Sequence, residues 1–301
     1  MTAEIAILNR TAVALAADSA VTVGRAGELK TFNTVTKIFE VCHDTPIAAM
    51  VYGNAEVAGL PWETLLKEFR SSMAGATFPT VQDCASHLFE FINSNSNWFS
   101  ERDRRRSFRA WVRGQLSALA RLFDEHAREV FEGVSPVETR AIVEEFVTFV
   151  PIVADSITKH SDGANKLPKS EVNRLLKLHA DDIESVMEAI VGKFASINRV
   201  STSIKNFLKT NLENRAMVET SGLVLTGFGV EELFPSLCEF RVGGFFGGSL
   251  FYQGPESFSV PSDGDSVVQA FAQKEEVITF VEGLSPHVRG FVYAQLDELV
   301  E

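Results

Sequence analysis

The apolar residues of this chain keep two different rhythms. From Thr2 to about Tyr52 they fall at alternate positions or in short continuous runs, the pattern of strands. Ile5 and Ile7 alternate with smaller residues, which predicts a strand packed on one face. The polar pair Asn9-Arg10 marks a turn. Thr11 to Ala17 is small, apolar and uncharged, and reads as a strand buried on both faces. Ala20 to Thr31 is a polar connection containing Gly24 and Gly27, followed by a strand-like run from Asn33 to Phe39. Ile47 to Tyr52 is continuously apolar, as expected of a central strand. After Gly53 the period lengthens. Pro61 suits a helix start, and Leu65, Leu66 and Phe69 share one face beyond it.

Residues 71 to about 218 form a second region, almost wholly helical by pattern. Thr80 can cap a helix carrying Leu88, Phe89 and Ile92. Ser100 or Asp103 opens a longer one through Phe108, Trp111, Leu116 and Phe123. Ser135-Pro136-Val137-Glu138 has the signature of a third start, with a kink expected at Pro151. Lys159 to Lys169 is polar and reads as a loop. Helices led by Ser170 and by about Ser201 follow. Strand patterning returns from 219 to about 260, with a hairpin turn expected at Gly243–Gly248. Ser262 to Glu301 reads as two helices broken at Gly283-Leu284-Ser285-Pro286.

Asp18 stands at the rim of an otherwise apolar run. A carboxylate there needs a cation or several donors, and Lys37 is a candidate. Taken singly, Thr2 is a small residue after the start, Asp18 a turn residue and Lys37 a strand-edge lysine. Together, at these spacings, they form a pattern. Thr2 followed by Ala16-Ala17-Asp18-Ser19, then Lys37 before Ile38-Phe39, then the turn Tyr52-Gly53-Asn54, resembles the N-terminal part of proteasome β-type subunits. These are threonine members of the N-terminal-nucleophile (Ntn) hydrolases. The resemblance covers residues 2 to 70, and more weakly the segment from Ser221 onward. It implies a four-layer α-β-β-α sandwich, an α+β fold, formed by residues 1–70 and 219–301 and interrupted by a large helical insertion at 71–218. It also departs from the family. Phe228 stands where the family has a supporting Ser, and the family's later loop holding an Asp and a Ser has no counterpart here.

The chemistry implied by the resemblance needs these residue types. A Thr hydroxyl is a weak nucleophile at neutral pH. The α-amine of the same residue, with an ordinary pKa of about 7.7–8.0, can take its proton. Thr2 would then be nucleophile and base after removal of Met1, Lys37 its electrostatic activator, Asp18 the orienter of that ammonium, and Gly53 the backbone oxyanion donor. The implied activity is cleavage of amide bonds, in peptides first. The alternatives are a non-catalytic assembly or scaffold subunit of the same fold and a small-molecule amidase of the same superfamily. A homo-oligomer is expected, as is a partner completing the sheet after residue 301.

Composition narrows the field further. The net charge of −12 argues against a nucleic-acid or anionic-membrane partner. Cys42, Cys84 and Cys238 are widely spaced and read as reduced thiols of a cytoplasmic protein. Scattered histidines and the lack of a phosphate-binding glycine loop predict neither metal nor cofactor. The basic run Arg102–Arg106 is interleaved with acids, which suits a solvated helix start or a subunit contact.

Overall fold

The computed structural model describes residues 3–19, 21–25, 28–32, 35–160, 166–218, 220–260 and 266–272, together with 275, 277, 279, 283–291 and 293. The chain is mixed α+β with antiparallel sheets. Its strands are β1 (Ala3–Asn9), β2 (Val13–Ala17), β3 (Val21–Arg25), β4 (Glu28–Phe32), β5 (Ile38–Glu40), β6 (Ile47–Gly53), β7 (Glu56–Val57), β8 (Leu60–Pro61), β9 (Ser221–Gly227), β10 (Ser236–Phe246), β11 (Ser249–Ser259) and β12 (Ser266–Ala272). The helices are α1 (Trp62–Ser72), α2 (Val81–Ser94), α3 (Glu101–Val130), α4 (Thr139–His160), α5 (Lys169–Leu178), α6 (Ala180–Val191) and α7 (Asn198–Glu213). Among the described residues no helix is long and apolar enough to cross a membrane.

Two compact units result: 1–94 with 221–241 and 254–301, and 95–220 with 242–253. In the first, β12-β1-β2 make one sheet and β11-β10-β9-β6-β5 another, so β6 is internal to its sheet. The β1–β2 turn is fixed by Asn9, whose Oδ1 accepts from the N–H groups of Thr11 and Ala12, each at 2.8 Å. Ala6, Leu8 and Phe271 of the smaller sheet share a buried cluster with Met50, Val224 and Leu237 of the larger. The two sheets therefore face each other across one core. On the opposite face of the larger sheet, Phe240 meets Phe89 of α2 edge-on at 4.8 Å, and α1 contributes Trp62, Leu65, Leu66 and Phe69 to the buried interior. Helix α2 thus belongs with the sheets, and the second unit begins at Asn95, not near residue 71.

Several expectations are corrected. In β1 the inward face is Glu4, Ala6 and Leu8, while Ile7 is exposed. The period of two holds, but its phase is reversed: Glu4, Ala6 and Leu8 face the second sheet, and Ile5 and Ile7 lie on the outer side. β2 is an edge strand of half-buried and exposed positions, not a doubly covered one. Its larger residues, Val13 and Leu15, alternate with alanines and pack on the core side, while Ala14 and Ala16 are exposed. Ala20 to Thr31 holds the first strand and most of the second of a hairpin, β3 with β4. Residues 266–272 are a strand, not the start of a helix: β-branched Val267 and Val268 extend along the second edge of β1, from Ala3↔Ala272 to Asn9↔Ser266. The third expected helix start at Ser135 is delayed to Thr139. Gly243 and Gly244 lie within β10, and the turn falls on Gly247-Gly248, both at positive φ as a tight hairpin turn requires. The expected loop at Lys159–Lys169 lies partly outside the described residues, as do Asn33, Thr34 and much of the C-terminal helical segment.

The second unit packs α3, α4, α6 and α7 around Phe108, Trp111, Leu116, Phe146, Ile204 and Phe207. Pro151 falls inside α4 as expected. Its polar interior is largely bonded: Asn211 donates to Gln115 Oε1 at 2.6 Å, and Gln115 and Trp111 both donate to the Ala216 carbonyl, while Asn211 Oδ1 has no partner among the described residues. The basic run is partly consumed here. Arg104 donates to the Phe99 carbonyl and lies over the Phe245 ring, and Arg105 pairs with buried Asp182 at 2.7 Å. The Arg105 bond, with a further one from His179, holds the Asp182 carboxyl below its usual range.

Gly222 of β9 lies opposite Tyr52 of β6, and a Cβ on Gly222 would fall 1.9 Å from the Tyr52 ring. Gly222→Ala is expected to cost about 1–3 kcal/mol in urea unfolding. Most of that loss should vanish in a Tyr52→Ala background, which removes the obstruction.

Candidate active site

The site is built from the start of the chain inward. Asp18 follows β2, and its backbone N–H donates to the Ala3 carbonyl at 3.1 Å. This closes the β1–β2 ladder and fixes Asp18 against the residue next to Thr2. Lys37 precedes β5. Its carbonyl accepts from Val51 of β6 at 2.9 Å, which holds its backbone against the larger sheet. Its side chain points inward and Nζ donates to Asp18 Oδ1 at 2.5 Å. The ammonium end is nearly sealed, with the lysine side chain 6% exposed, while the Asp18 side chain is 34% exposed. One ion pair therefore ties the end of the small sheet to the edge of the large one.

Of the four predicted site residues, Asp18 and Lys37 are brought into direct contact. Gly53 ends β6 two residues beyond the Val51 bond to Lys37. It pairs with Ser221, whose hydroxyl donates to the Asn54 carbonyl at 2.7 Å, and its φ is 76°. Thr2 lies outside the described residues.

Three further groups gather on the same inner surface. Glu4 is 1% exposed, and among the described residues neither of its oxygens accepts a hydrogen bond. Burial pushes its carboxyl up to about 8; Lys37 pulls the other way and Asp18 adds to the rise. At neutral pH Glu4 is thus mainly the uncharged acid. Tyr52 donates its hydroxyl to Glu239 Oε1. Burial, followed by that bond, raises the phenol well above its ordinary range, against the pull of Arg241. Glu239 Oε2 has no hydrogen-bond partner among the described residues. Glu4 was missed from the sequence because the phase of β1 was reversed. Glu239 was missed because one acid in an apolar strand gives no sign of facing Tyr52.

Other candidate chemistry is sparse. The three cysteines are free and buried, and burial, with Cys42 adding to it, raises the Cys84 thiol to about 12, far from the reactive range. Among the described residues no group of three or more His, Cys, Asp or Glu side chains could hold a metal ion. A cavity of about 520 Å³ lies toward the other end of β6, lined by residues including Leu15, Ile38, Cys42 and Gly227; Asp18, Lys37 and Gly53 are not in its walls. No family model, curated protein or solved structure matches the chain. The functional reading therefore rests on the residues themselves.

The Glu4 carboxyl sets a sign for stability. Between its unfolded value of 4.5 and about 8 the folded chain keeps a proton that the unfolded chain has released. Its contribution is therefore fully present below pH 4.5 and is lost as pH rises through 8. Glu4→Gln cannot titrate. Its stability relative to the parent should rise by roughly 4 kcal/mol between pH 5 and pH 9, read from denaturant midpoints at each pH.

Proposed function

We propose that this chain is an N-terminal threonine hydrolase of the proteasome-like Ntn type, which cleaves amide bonds, chiefly of peptides, once Met1 is removed. The observation that carries the reading is the pairing of buried Lys37 with half-buried Asp18, held one backbone bond from the residue that follows Thr2. Two antiparallel sheets sharing a core, with α1 and α2 on the far face of the larger, support the sandwich that goes with it. Its fourth layer would come from the segment after β12.

In this reading the Thr2 hydroxyl attacks the substrate carbonyl carbon and gives its proton to the α-amine of Thr2. The Lys37 ammonium favours the developing alkoxide, and Asp18 keeps that ammonium in place. The Gly53 N–H steadies the oxyanion, an effect of about 3 kcal/mol for comparable donors. Collapse expels the substrate amine, which takes the proton, and leaves an ester on Thr2. Water then hydrolyses the ester, regenerating the hydroxyl.

A scaffold reading is favoured by one feature. The turn carrying Phe228 lies beyond the Ile47 end of β6, with the Phe228 N–H on the Pro46 carbonyl at 3.2 Å, so no supporting hydroxyl reaches the Lys37–Asp18 pair from there. The proton network would then be shorter than an active site of this type requires.

Intact mass before and after treatment with a β-lactone separates the two. The hydrolase is expected to lack Met1 and to gain one adduct, which Thr2→Ala abolishes and Lys37→Met slows by at least about 100-fold. Cellular protein that retains Met1, or that gains no adduct, would establish the scaffold.

A further inference from the structure

Glu4 has no part in the hydrolytic scheme, yet it lies two residues from Thr2 on the inner face of β1, flanked across the ladder by Ala17 and Phe271. Its surroundings are sparse in charge. Asp18 faces it from the end of β2, and Lys37 from the start of β5. Tyr52 faces it from β6, with Glu239 and Arg241 of β10 behind that ring. β12 carries no titratable side chain. A buried carboxyl without a partner is unfavourable, and an apolar residue would pack the same position at no electrostatic cost. What it does have is a place beside the ion pair: its ladder partner Ala17 precedes Asp18, whose N–H is bonded to Ala3 and whose carboxylate holds Lys37, the group the reaction depends on.

We propose that Glu4 is a positioning residue of this site and acts through Lys37: as the neutral acid it leaves the ammonium to balance Asp18 and the charge growing on Thr2, and as the carboxylate it competes for that ammonium and suppresses the reaction. The proposal rests on the hydrolytic reading. With Glu4 protonated, the Lys37–Asp18 pair is electrically balanced. Loss of the proton leaves two carboxylates around one ammonium. The excess negative charge opposes the alkoxide and the oxyanion. It also favours the protonated α-amine, which removes the base. Activity then needs the α-amine free and Glu4 still protonated, so it rises as the amine loses its proton and falls as pH rises through the titration of Glu4, at about 8.

The test is the rate of β-lactone acylation of processed protein from pH 6 to pH 10, for the parent, Glu4→Gln and Glu4→Asp. The parent should show a falling limb near pH 8. Glu4→Gln should match the parent at pH 6.5 within about twofold and exceed it about tenfold at pH 9, one unit above the midpoint. Glu4→Asp, which keeps a titrating group, should keep a falling limb. Glutamate labelled with ¹³C at the carboxyl carbon gives a second readout: the resonance lost in Glu4→Gln should titrate near pH 8 in the parent. A midpoint near 4–5, or the same rate profile in parent and Glu4→Gln, overturns the role of Glu4 and leaves the hydrolase standing. A parent that acylates at no pH overturns the hydrolytic reading, and the role of Glu4 with it.

Discussion

The first unit depends on how a charge is kept inside it. Its two sheets meet through apolar side chains over most of their inner faces, and at one end through the Lys37 ammonium and the Asp18 carboxylate. An ion pair so placed is poor evidence for stability, since removing both ions from water offsets much of their attraction. Its effect is on arrangement. The ammonium donates to Asp18, that acceptor is fixed by its own N–H to Ala3, and the lysine backbone is fixed to Val51. The start of β1, the end of β2 and the edge at β5 are thereby held in one relation.

Much of this was legible in the sequence, for reasons that can be stated residue by residue. A carboxylate at the end of an apolar run needs a cation, and Lys37 was the candidate at hand; the structure joins them. The central position of β6 follows from its unbroken apolar run, and the start of α1 from Pro61. Ser100 accepts from the Asp103 N–H at the head of α3, as its place before a helical pattern implies. The failures share a cause. Where a strand carries apolar residues on both sides, as β1 does with Ile5 and Ile7 against Ala6 and Leu8, alternation gives a period without saying which side is covered. Glu4 was lost in that ambiguity. The strand at 266–272 was lost for another reason: its partner is β1, and local pattern carries no information about a pairing so distant along the chain.

The helical unit shows the same limit from the other side. Its apolar stripes mark its core correctly, since helical periodicity is local. The partners of its charges are not local. Arg105 and Asp182 meet only after two further helices intervene, so a run that reads as solvated surface supplies a buried carboxylate with its counter-ion.

The pairing of β12 with β1 carries a consequence for the order of assembly. A chain made from its N-terminus presents β1 first, but β1 gains its second neighbour only when residues 266–272 have appeared. Contacts of such long sequence separation are slow to form, because a large loop must close before any ladder bond is made. The strand that follows Thr2 is therefore among the last to be secured on both edges. A nascent or truncated chain would hold Asp18 and Lys37 without a fixed N-terminus beside them, and any reactivity there would arrive with completion of the fold.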